Sequence, residues 1–312
     1  MAIVAAESRG SNASVGAEAP WPAPAKLNLF LHILGRRADG YHELQTAFQF
    51  IDLCDELSFE LRWDEQIVRA EGPSEVPTSQ DLCLRAAEHL RKYAAESLRP
   101  HAAEQSRSPS SDLPGVTIRL RKRIPLQGGL GGGSSDAATT LMALNHLWDL
   151  RLSRQELARL GFELGADVPV FVQGHAAWAE GAGELLEPIE PPELVYLVIR
   201  PGVLVSTAEV FQAAELTRNS PAITIRDFLK SGGRNDCEPL VRSRFPEVAA
   251  ALDWLGRFAP ARLTGTGSCI FAPFADREQA QAVADQVPAR WQGFVVQGRN
   301  RSPLLDRIAA DE

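Results

Sequence analysis

The chain has 312 residues, of which 45% are hydrophobic and 23% are charged, as in ordinary globular proteins long enough for two domains. Its net charge of −8 gives no general attraction to nucleic acid or to an anionic membrane, so neither is an expected partner. No apolar run approaches the roughly 20 residues needed to span a bilayer. The four scattered cysteines predict neither a disulfide framework nor a zinc site, and we expect a reducing, cytoplasmic location.

The first half of the chain predicts strands and helices around one glycine-rich stretch. Residues 1–20, rich in Ala, Ser and Gly, are expected to form a disordered tail. Hydrophobic periodicity then predicts strands at 27–33, 57–61 and 116–120, and one strand or a strand pair at 41–53. It predicts helices at 81–98 and from Ser134 or Ser135, and a helix between the capping box Ser153/Glu156 and Gly165. A serine hydroxyl is expected to cap the second of these helices. Residues 96–115 are Ser/Pro-rich and predict a surface loop.

The second half alternates strands and helices, which indicates an α+β architecture. The segment 188–192 is the expected boundary between an N-terminal domain at 21–185 and a C-terminal domain at 186–312. The pattern predicts strands at 194–200, 261–264, 269–271 and 293–297, and helices from Ser206 and at 247–258 and 277–287.

The stretch Pro125 to Ala138 lies between a predicted strand and a predicted helix. Glycines let the backbone turn sharply, and the N–H groups of a first helical turn point outward, so this order favours a phosphate site. The spacing matches neither a Walker A loop nor a dinucleotide-binding turn. A flexible linker is the alternative, but linkers rarely run directly from a strand into a well-patterned helix.

Two further features are ambiguous by themselves. Asp167 follows a helix and precedes the apolar residues 170–172. An acid in such a place is most often a cap or an arginine partner, and otherwise a proton acceptor in a cleft. The loop Thr264–Ser268 is typical of a hairpin turn, or else forms the second wall of a triphosphate site.

Several segments together resemble the GHMP kinase superfamily. They are APAKLNL (23–29), PLQGGLGGGSSDAA (125–138) and LTGTGSC (263–269). DGYHEL (39–44), GADVP (165–169) and NRSPL (300–304) narrow the resemblance to the branch that phosphorylates a cytidine-diphosphate-linked methylerythritol in the non-mevalonate route to isoprenoids. The resemblance runs from about Pro22 to the end of the chain.

The resemblance implies a two-domain α+β kinase, with an N-terminal domain like ribosomal protein S5 domain 2 and a ferredoxin-like C-terminal domain. It implies transfer of the γ-phosphoryl group of ATP to the 2-hydroxyl of the acceptor, a reaction that depends mainly on positioning and charge stabilisation. Asp167 matches the family's catalytic base, and Lys26 the lysine beside it. We expect Mg²⁺ to arrive with ATP and assign no protein ligand to it beyond a contact from Ser135.

The resemblance also implies binding residues. For ATP they are Lys122, Pro125, Gly128, Gly129, Leu130, Gly131, Gly132, Gly133, Ser134, Ser135, Asp81 and Leu82. For the acceptor they are Asn28, Tyr41, His42, Thr207, Phe211, Gly265, Thr266 and Gly267. In this assignment Tyr41 and Phe211 sandwich the cytosine and His42 contacts its hydrogen-bonding edge. Two positions depart from the family pattern: Gln127 replaces a small residue, and Asp81 stands where an asparagine is common.

Two other functions remain open at this point. A sibling kinase acting on mevalonate or homoserine would not need the cytosine sandwich, and a nucleotide-binding protein without activity would not need both Lys26 and Asp167. For the kinase interpretation we expect a monomer or a weak homodimer.

Overall fold

The computed structural model describes residues 19–38, 40–97 and 113–310. The tail expected at 1–20 lies outside these ranges apart from its last two residues. Of the loop expected at 96–115, residues 98–112 also lie outside them. In the described part of the chain, no helix is long and apolar enough to span a bilayer.

Within the described ranges, ten strands form one sheet. They are β1 Trp21–Arg36, β2 His42–Arg62, β3 Ile67–Glu71, β4 Gly115–Arg121, β5 Ala177–Gly181, β6 Leu185–Pro188, β7 Val195–Arg200, β8 Arg262–Leu263, β9 Ile270–Phe274 and β10 Gln292–Arg299. The main path has the order β3-β4-β2-β10-β7-β9-β8, with β1 and β5 paired to β2 and β6 paired to β5. This sheet, together with the helices described next, confirms the α+β class.

Ten α-helices flank this sheet in the described residues. They are α1 Leu82–Ser97, α2 Gly132–Leu147, α3 Arg154–Leu164, α4 Val168–Gln173, α5 Thr207–Gln212, α6 Ile225–Ser231, α7 Glu238–Arg244, α8 Pro246–Leu255, α9 Arg277–Ala284 and α10 Pro303–Ala309. The capping box at Ser153 and Glu156 is present, and α3 ends at Gly165 as predicted. Helices α4, α6, α7 and α10 are short and were not predicted.

Two large apolar clusters lie on the two halves of the sheet. The first packs α1, α2 and α4 on the N-terminal strands, and Leu304 and Leu305 of α10 return from the end of the chain to join it. The second packs α7, α8 and α9 on β7 and β9, and includes Leu31 and Ile33 of β1. Each half therefore takes part of its core from the other half of the sequence.

Strand β2 corrects one sequence expectation. The residues predicted as separate strands at 41–53 and 57–61 form one strand of 21 residues. Asp55, in the gap between the two predicted strands, is fully buried. Its Oδ1 accepts hydrogen bonds from the backbone N–H groups of Arg123 at 2.5 Å and Ile124 at 2.8 Å. The buried carboxylate therefore fixes the segment that leads into the glycine loop.

Candidate active site

A cavity of about 610 Å³ lies between the two halves of the sheet. Its walls come from β1, the glycine loop, the start of α1, the turn before α4, the start of α5 and the turn between β8 and β9. Of the residues proposed from sequence, it is lined by Lys26, Asn28, Asp81, Leu82, Lys122, Pro125, Gly128, Gly129, Leu130, Gly131, Gly132, Gly133, Ser134, Asp167, Thr207, Phe211, Gly265 and Thr266. Tyr41, His42, Ser135 and Gly267 do not line it.

The glycine loop is held from both sides by backbone hydrogen bonds. Lys26 of β1 donates its N–H to the carbonyl of Leu130 at 3.0 Å, and Cys269 donates to the carbonyl of Gly128 at 3.1 Å. Gly129 has φ +74°, and a Cβ on it would overlap the carbonyl oxygen of Thr264. A side chain is excluded there by both conformation and space.

Helix α2 begins at the glycine loop, earlier in the chain than expected. The sequence predicted a start at Ser134 or Ser135 with a serine cap, and this was wrong. The N-cap is Gly131, at φ 73° and ψ 15°, and no side chain caps the helix. The N–H groups of the first turn therefore remain available beside the cavity, and together with the helix dipole they favour an anion.

Lys26 and Asp167 meet in the cavity. Lys26 Nζ lies 3.2 Å from Asp167 Oδ2, and the lysine side chain is 3% exposed whereas that of the aspartate is 36% exposed. The ammonium group also donates to Asn28 Oδ1 at 2.5 Å and to the carbonyl of Gly129 at 3.3 Å. The aliphatic part of Lys26 is buried, so its charged end is fixed between the aspartate and the glycine loop.

Asp167 occupies the N-cap position of α4, but its side chain makes no capping hydrogen bond. Asp167 is therefore neither a helix cap nor the partner of an arginine, because its ion-pair partner is Lys26. One oxygen faces a lysine and the group is open to the cavity, which leaves the carboxylate able to accept a proton from a bound alcohol.

Asn28 and the β8–β9 turn connect the lysine to the C-terminal half. Asn28 donates from Nδ2 to Thr46 Oγ1 at 2.9 Å, and its backbone N–H donates to Thr264 Oγ1 at 3.0 Å. Thr266 Oγ1 in turn lies 2.9 Å from Thr207 Oγ1 at the start of α5. The turn Thr264–Ser268 is thus a β-hairpin connection that also borders the cavity. Thr46, a polar residue inside an apolar strand, was not identified from sequence.

The aromatic residues are not arranged as an open sandwich. Tyr41 is 55% exposed. The His42 ring stacks on Phe211, with centroids 5.0 Å apart and 26° between the planes. His42 Nε2 accepts a hydrogen bond from Arg218 Nε at 3.0 Å. Burial lowers the pKa of His42, and the cationic groups of Arg218 and Arg36 lower it further. In the space expected between Tyr41 and Phe211 for the cytosine, the His42 ring therefore lies against the face of Phe211.

Lys122 lines the cavity beside the glycine loop and belongs to a buried ionic cluster. Its Nζ lies 2.5 Å from Asp55 Oδ2 and 2.8 Å from Asp136 Oδ2. Burial raises the pKa of Asp136 to about 8, against the opposing effect of Lys122. Burial also tends to lower the pKa of Lys122, but the effect of the two carboxylates is larger, so the pKa of Lys122 is raised. Lys122 is therefore a fixed cation with one ammonium hydrogen left for a ligand.

Asp81 is fully engaged by the protein. Its Oδ1 accepts from the N–H groups of Cys83 at 2.8 Å and Leu84 at 3.1 Å, so it caps α1. Its Oδ2 accepts from Arg69 Nη1 at 2.6 Å. Arg69 also donates to the carbonyl of Val76 at 3.1 Å, and Val76 lines the cavity. The aspartate at position 81, where an asparagine is common, therefore forms an ion pair with Arg69 that fixes the cavity wall. No sequence signal indicated this ion pair.

The first turn of α2 contains two oxygens suited to a metal that arrives with phosphate. Ser135 Oγ and Asp136 Oδ1 are buried without a hydrogen-bond partner. Within the described ranges, no three His, Cys, Asp or Glu side chains form a group able to hold a metal ion. Mg²⁺ usually binds one or two protein oxygens together with water and substrate phosphates, and of these two orphan oxygens only that of Asp136 belongs to a residue that lines the cavity.

Both halves of the chain match families of kinases. Residues 81–175 match the GHMP kinases N terminal domain, and residues 213–293 match the GHMP kinases C terminal domain. A 4-diphosphocytidyl-2-C-methyl-D-erythritol kinase of Nitrosococcus oceani is 56% identical over 92% of this chain and 96% of its own length. The protein of the same name from Alkalilimnicola ehrlichii is 55% identical over 94% of this chain and 95% of its own length.

Solved structures give the same result. A crystal structure of 4-(cytidine 5'-diphospho)-2C-methyl-D-erythritol kinase superposes with a TM-score of 0.72 at 32% identity, over 89% of this chain and 98% of the other. A mevalonate kinase superposes with a TM-score of 0.62 at 17% identity, over 90% of this chain and 99% of the other, and this likeness extends to the fold alone.

The fold and the two matched domains define the class of GHMP kinases. Relatives that match nearly end to end at more than half identity narrow this class. The chain belongs to the 4-diphosphocytidyl-2-C-methyl-D-erythritol kinase family.

Proposed function

We propose that this chain transfers the γ-phosphoryl group of ATP to the 2-hydroxyl of 4-diphosphocytidyl-2-C-methyl-D-erythritol. The observation that carries the proposal is the contact of Lys26 Nζ with Asp167 Oδ2 at 3.2 Å, beside the glycine loop in the same cavity. A proton acceptor, a fixed cation and an anion site are the groups that phosphoryl transfer to an alcohol requires.

Asp167 is the proposed general base. Its carboxylate takes the proton of the attacking hydroxyl as the oxygen approaches the γ-phosphorus, and a positioned base contributes about 10²–10⁴-fold to the rate. Lys26 lies between this carboxylate and the loop, where its charge stabilises the negative charge of the transferring group. Its bonds to Asn28 and to the Gly129 carbonyl hold it in place before the substrates arrive.

The glycine loop and the first turn of α2 are proposed to bind the triphosphate through backbone N–H groups. Lys122, Leu82 and the wall near Val76 are proposed to surround the nucleoside end. A bound Mg²⁺ would neutralise charge on the β- and γ-phosphates, and Ser135 Oγ and Asp136 Oδ1 are the atoms that would hold it.

The acceptor is proposed to lie along Asn28, Thr207 and the Gly265–Gly267 turn, with its base near Tyr41, His42 and Phe211. Because His42 covers one face of Phe211, the base is proposed to lie at the edge of this stacked pair, where it can contact both rings. The domain limits at 21–185 and 186–312, the cytoplasmic location and the monomer or weak dimer stay predictions.

An ADP-release assay with three alcohols tests this proposal. We expect turnover with the cytidylated acceptor and background rates with mevalonate and homoserine. Turnover of either small alcohol alone would instead indicate a sibling kinase. ATP binding without ADP release in the presence of any of the three would indicate a nucleotide-binding protein without this activity.

A further inference from the structure

His42 is held by an arginine outside the family motifs quoted above. The ring is 8% exposed and stacks on Phe211. Arg218 Nε lies 3.0 Å from His42 Nε2. Arginine has only N–H donors and no acceptor, so this hydrogen bond requires a lone pair on Nε2.

The direction of the hydrogen bond from Arg218 to His42 determines the protonation state of the histidine ring. A charged imidazolium has hydrogens on both nitrogens and cannot accept from Arg218. The neutral ring that can accept at Nε2 carries its hydrogen on Nδ1. Burial and the two neighbouring arginines, Arg218 and Arg36, lower the pKa of His42 and support the neutral form.

Arg218 also fixes the aromatic residue against which the ring stacks. Its Nη2 donates to the carbonyls of Phe211 at 2.9 Å and Ala213 at 2.7 Å, and its Nη1 donates to the carbonyl of Leu216 at 3.1 Å. These carbonyls lie at the end of α5 and in the segment that follows it. One guanidinium group therefore sets both the placement of Phe211 and the hydrogen on His42.

We propose that Arg218 is a positioning residue for the base of the acceptor, because it holds His42 as the neutral Nδ1–H tautomer and seats this ring against Phe211. This inference rests on the proposed function. Cytosine offers acceptors at N3 and O2, and a donor fixed before binding recognises such an acceptor without a cost of reorientation. A histidine free to exchange tautomers would present an acceptor for part of the time.

The first experiment observes the tautomer without substrate. Full-length protein with ¹⁵N-labelled imidazoles is studied by NMR, and a His42→Gln variant assigns the signals among the six histidines. We expect a protonated Nδ1 and an unprotonated Nε2 at neutral pH. In Arg218→Met the ring should shift toward the Nε2–H form, and its titration midpoint should rise toward the ordinary 6.5. A wild-type ring that is charged or protonated at Nε2 overturns the inference.

The second experiment separates positioning from folding. For Arg218→Met we expect KM for the cytidylated acceptor to rise about tenfold, the value of one hydrogen bond to a charged donor, while kcat and KM for ATP stay within about twofold. Arg218→Lys, which keeps the charge and one donor, should recover part of the acceptor affinity. Arg226→Met, at an exposed position on α6, is the matched control and should match the wild type.

The outcomes separate the inference from the function on which it rests. An inactive wild type with the expected NMR spectrum refutes the proposed function and leaves the tautomer established. An active wild type with an unchanged acceptor KM in Arg218→Met, or with an unchanged tautomer in that variant, refutes the role of Arg218. Equal losses for ATP and for the acceptor would show a structural role only, which also refutes it.

Discussion

Replacement of Asp167 by asparagine tests the chemical role of the carboxylate with little change in shape. The amide of the Asp167→Asn variant keeps the size of the side chain but cannot accept the hydroxyl proton. Loss of a positioned general base should lower kcat by about 10²–10⁴-fold, which corresponds to about 3–5 kcal/mol of transition-state stabilisation.

The same change should hardly affect folding. The Asp167 side chain is 36% exposed, so solvent screens its charge and the pair contributes about 0–1 kcal/mol to stability, while the buried Lys26 ammonium keeps its bonds to Asn28 and to the Gly129 carbonyl. The Asp167 side chain also makes no cap for α4. Thermal unfolding should therefore be close to that of the wild type while activity is largely lost, and the Kd for ATP should change little.

Single-turnover measurement of ADP release with saturating acceptor is the direct assay, with ATP affinity measured separately by calorimetry. Asp253→Asn is the control, because it breaks the surface pair of Asp253 with Arg242, where Asp253 is 67% exposed, and should leave kcat unchanged. An Asp167→Asn enzyme with kcat within about threefold of the wild type would refute the general-base role.

Three further predictions concern Lys26, Arg69 and the buried His32. Lys26→Met should lower kcat by about 10²–10³-fold, the usual loss for one preorganised electrostatic contact, and initial rates at saturating ATP would show no such loss if the lysine only supports the fold. Arg69→Met should raise KM for ATP about tenfold, because Arg69 links Asp81 to Val76 in the cavity wall through charge-assisted bonds; a rise in the acceptor KM instead would contradict this placement. Burial lowers the pKa of His32 from 6.5, with Arg234 adding to and Asp236 opposing this effect. The unfolded chain therefore takes up a proton that the folded chain resists, and the free energy of unfolding should fall below about pH 6.5 by at most about 1.4 kcal/mol per pH unit. Urea unfolding of His32→Phe at about pH 5 and about pH 7.5 should show a smaller difference between the two than the wild type, and an equal difference would show that His32 titrates normally.

Local patterns predicted most of the regular elements because their periodicity is set by burial on one face. The strand at 27–33, the helix at 81–98 and the capping box of α3 all appear where the sequence indicated them. These features depend on neighbours within a few residues, which a sequence displays directly.

The errors have a different cause. A serine after a glycine run is a good cap by local rules, but the helix starts after Gly131 because the loop must turn with positive φ between β1 and Cys269. The continuity of β2 through Asp55 was missed because the partners of Asp55, which are Lys122 and two backbone N–H groups, lie far away in sequence.

The residues of the candidate site divide in the same way between local motifs and contacts across the fold. Lys26 and Asp167 are individually ordinary residues, and only the motifs around them predicted that they belong to one site. The groups that hold the site, such as Arg69, Thr46 and Arg218, lie outside those motifs. Their roles come from contacts across the fold, so no pattern along the chain could have revealed them.

The backbone bonds on either side of the glycine loop limit how the enzyme can open during a cycle. Gly128 and Leu130 are tied to opposite halves of the sheet, so the two lobes cannot separate at the phosphate end without breaking the loop's own support. Product exit would then occur at the rims of the cavity, beside Val76 on one side and the α5 segment on the other.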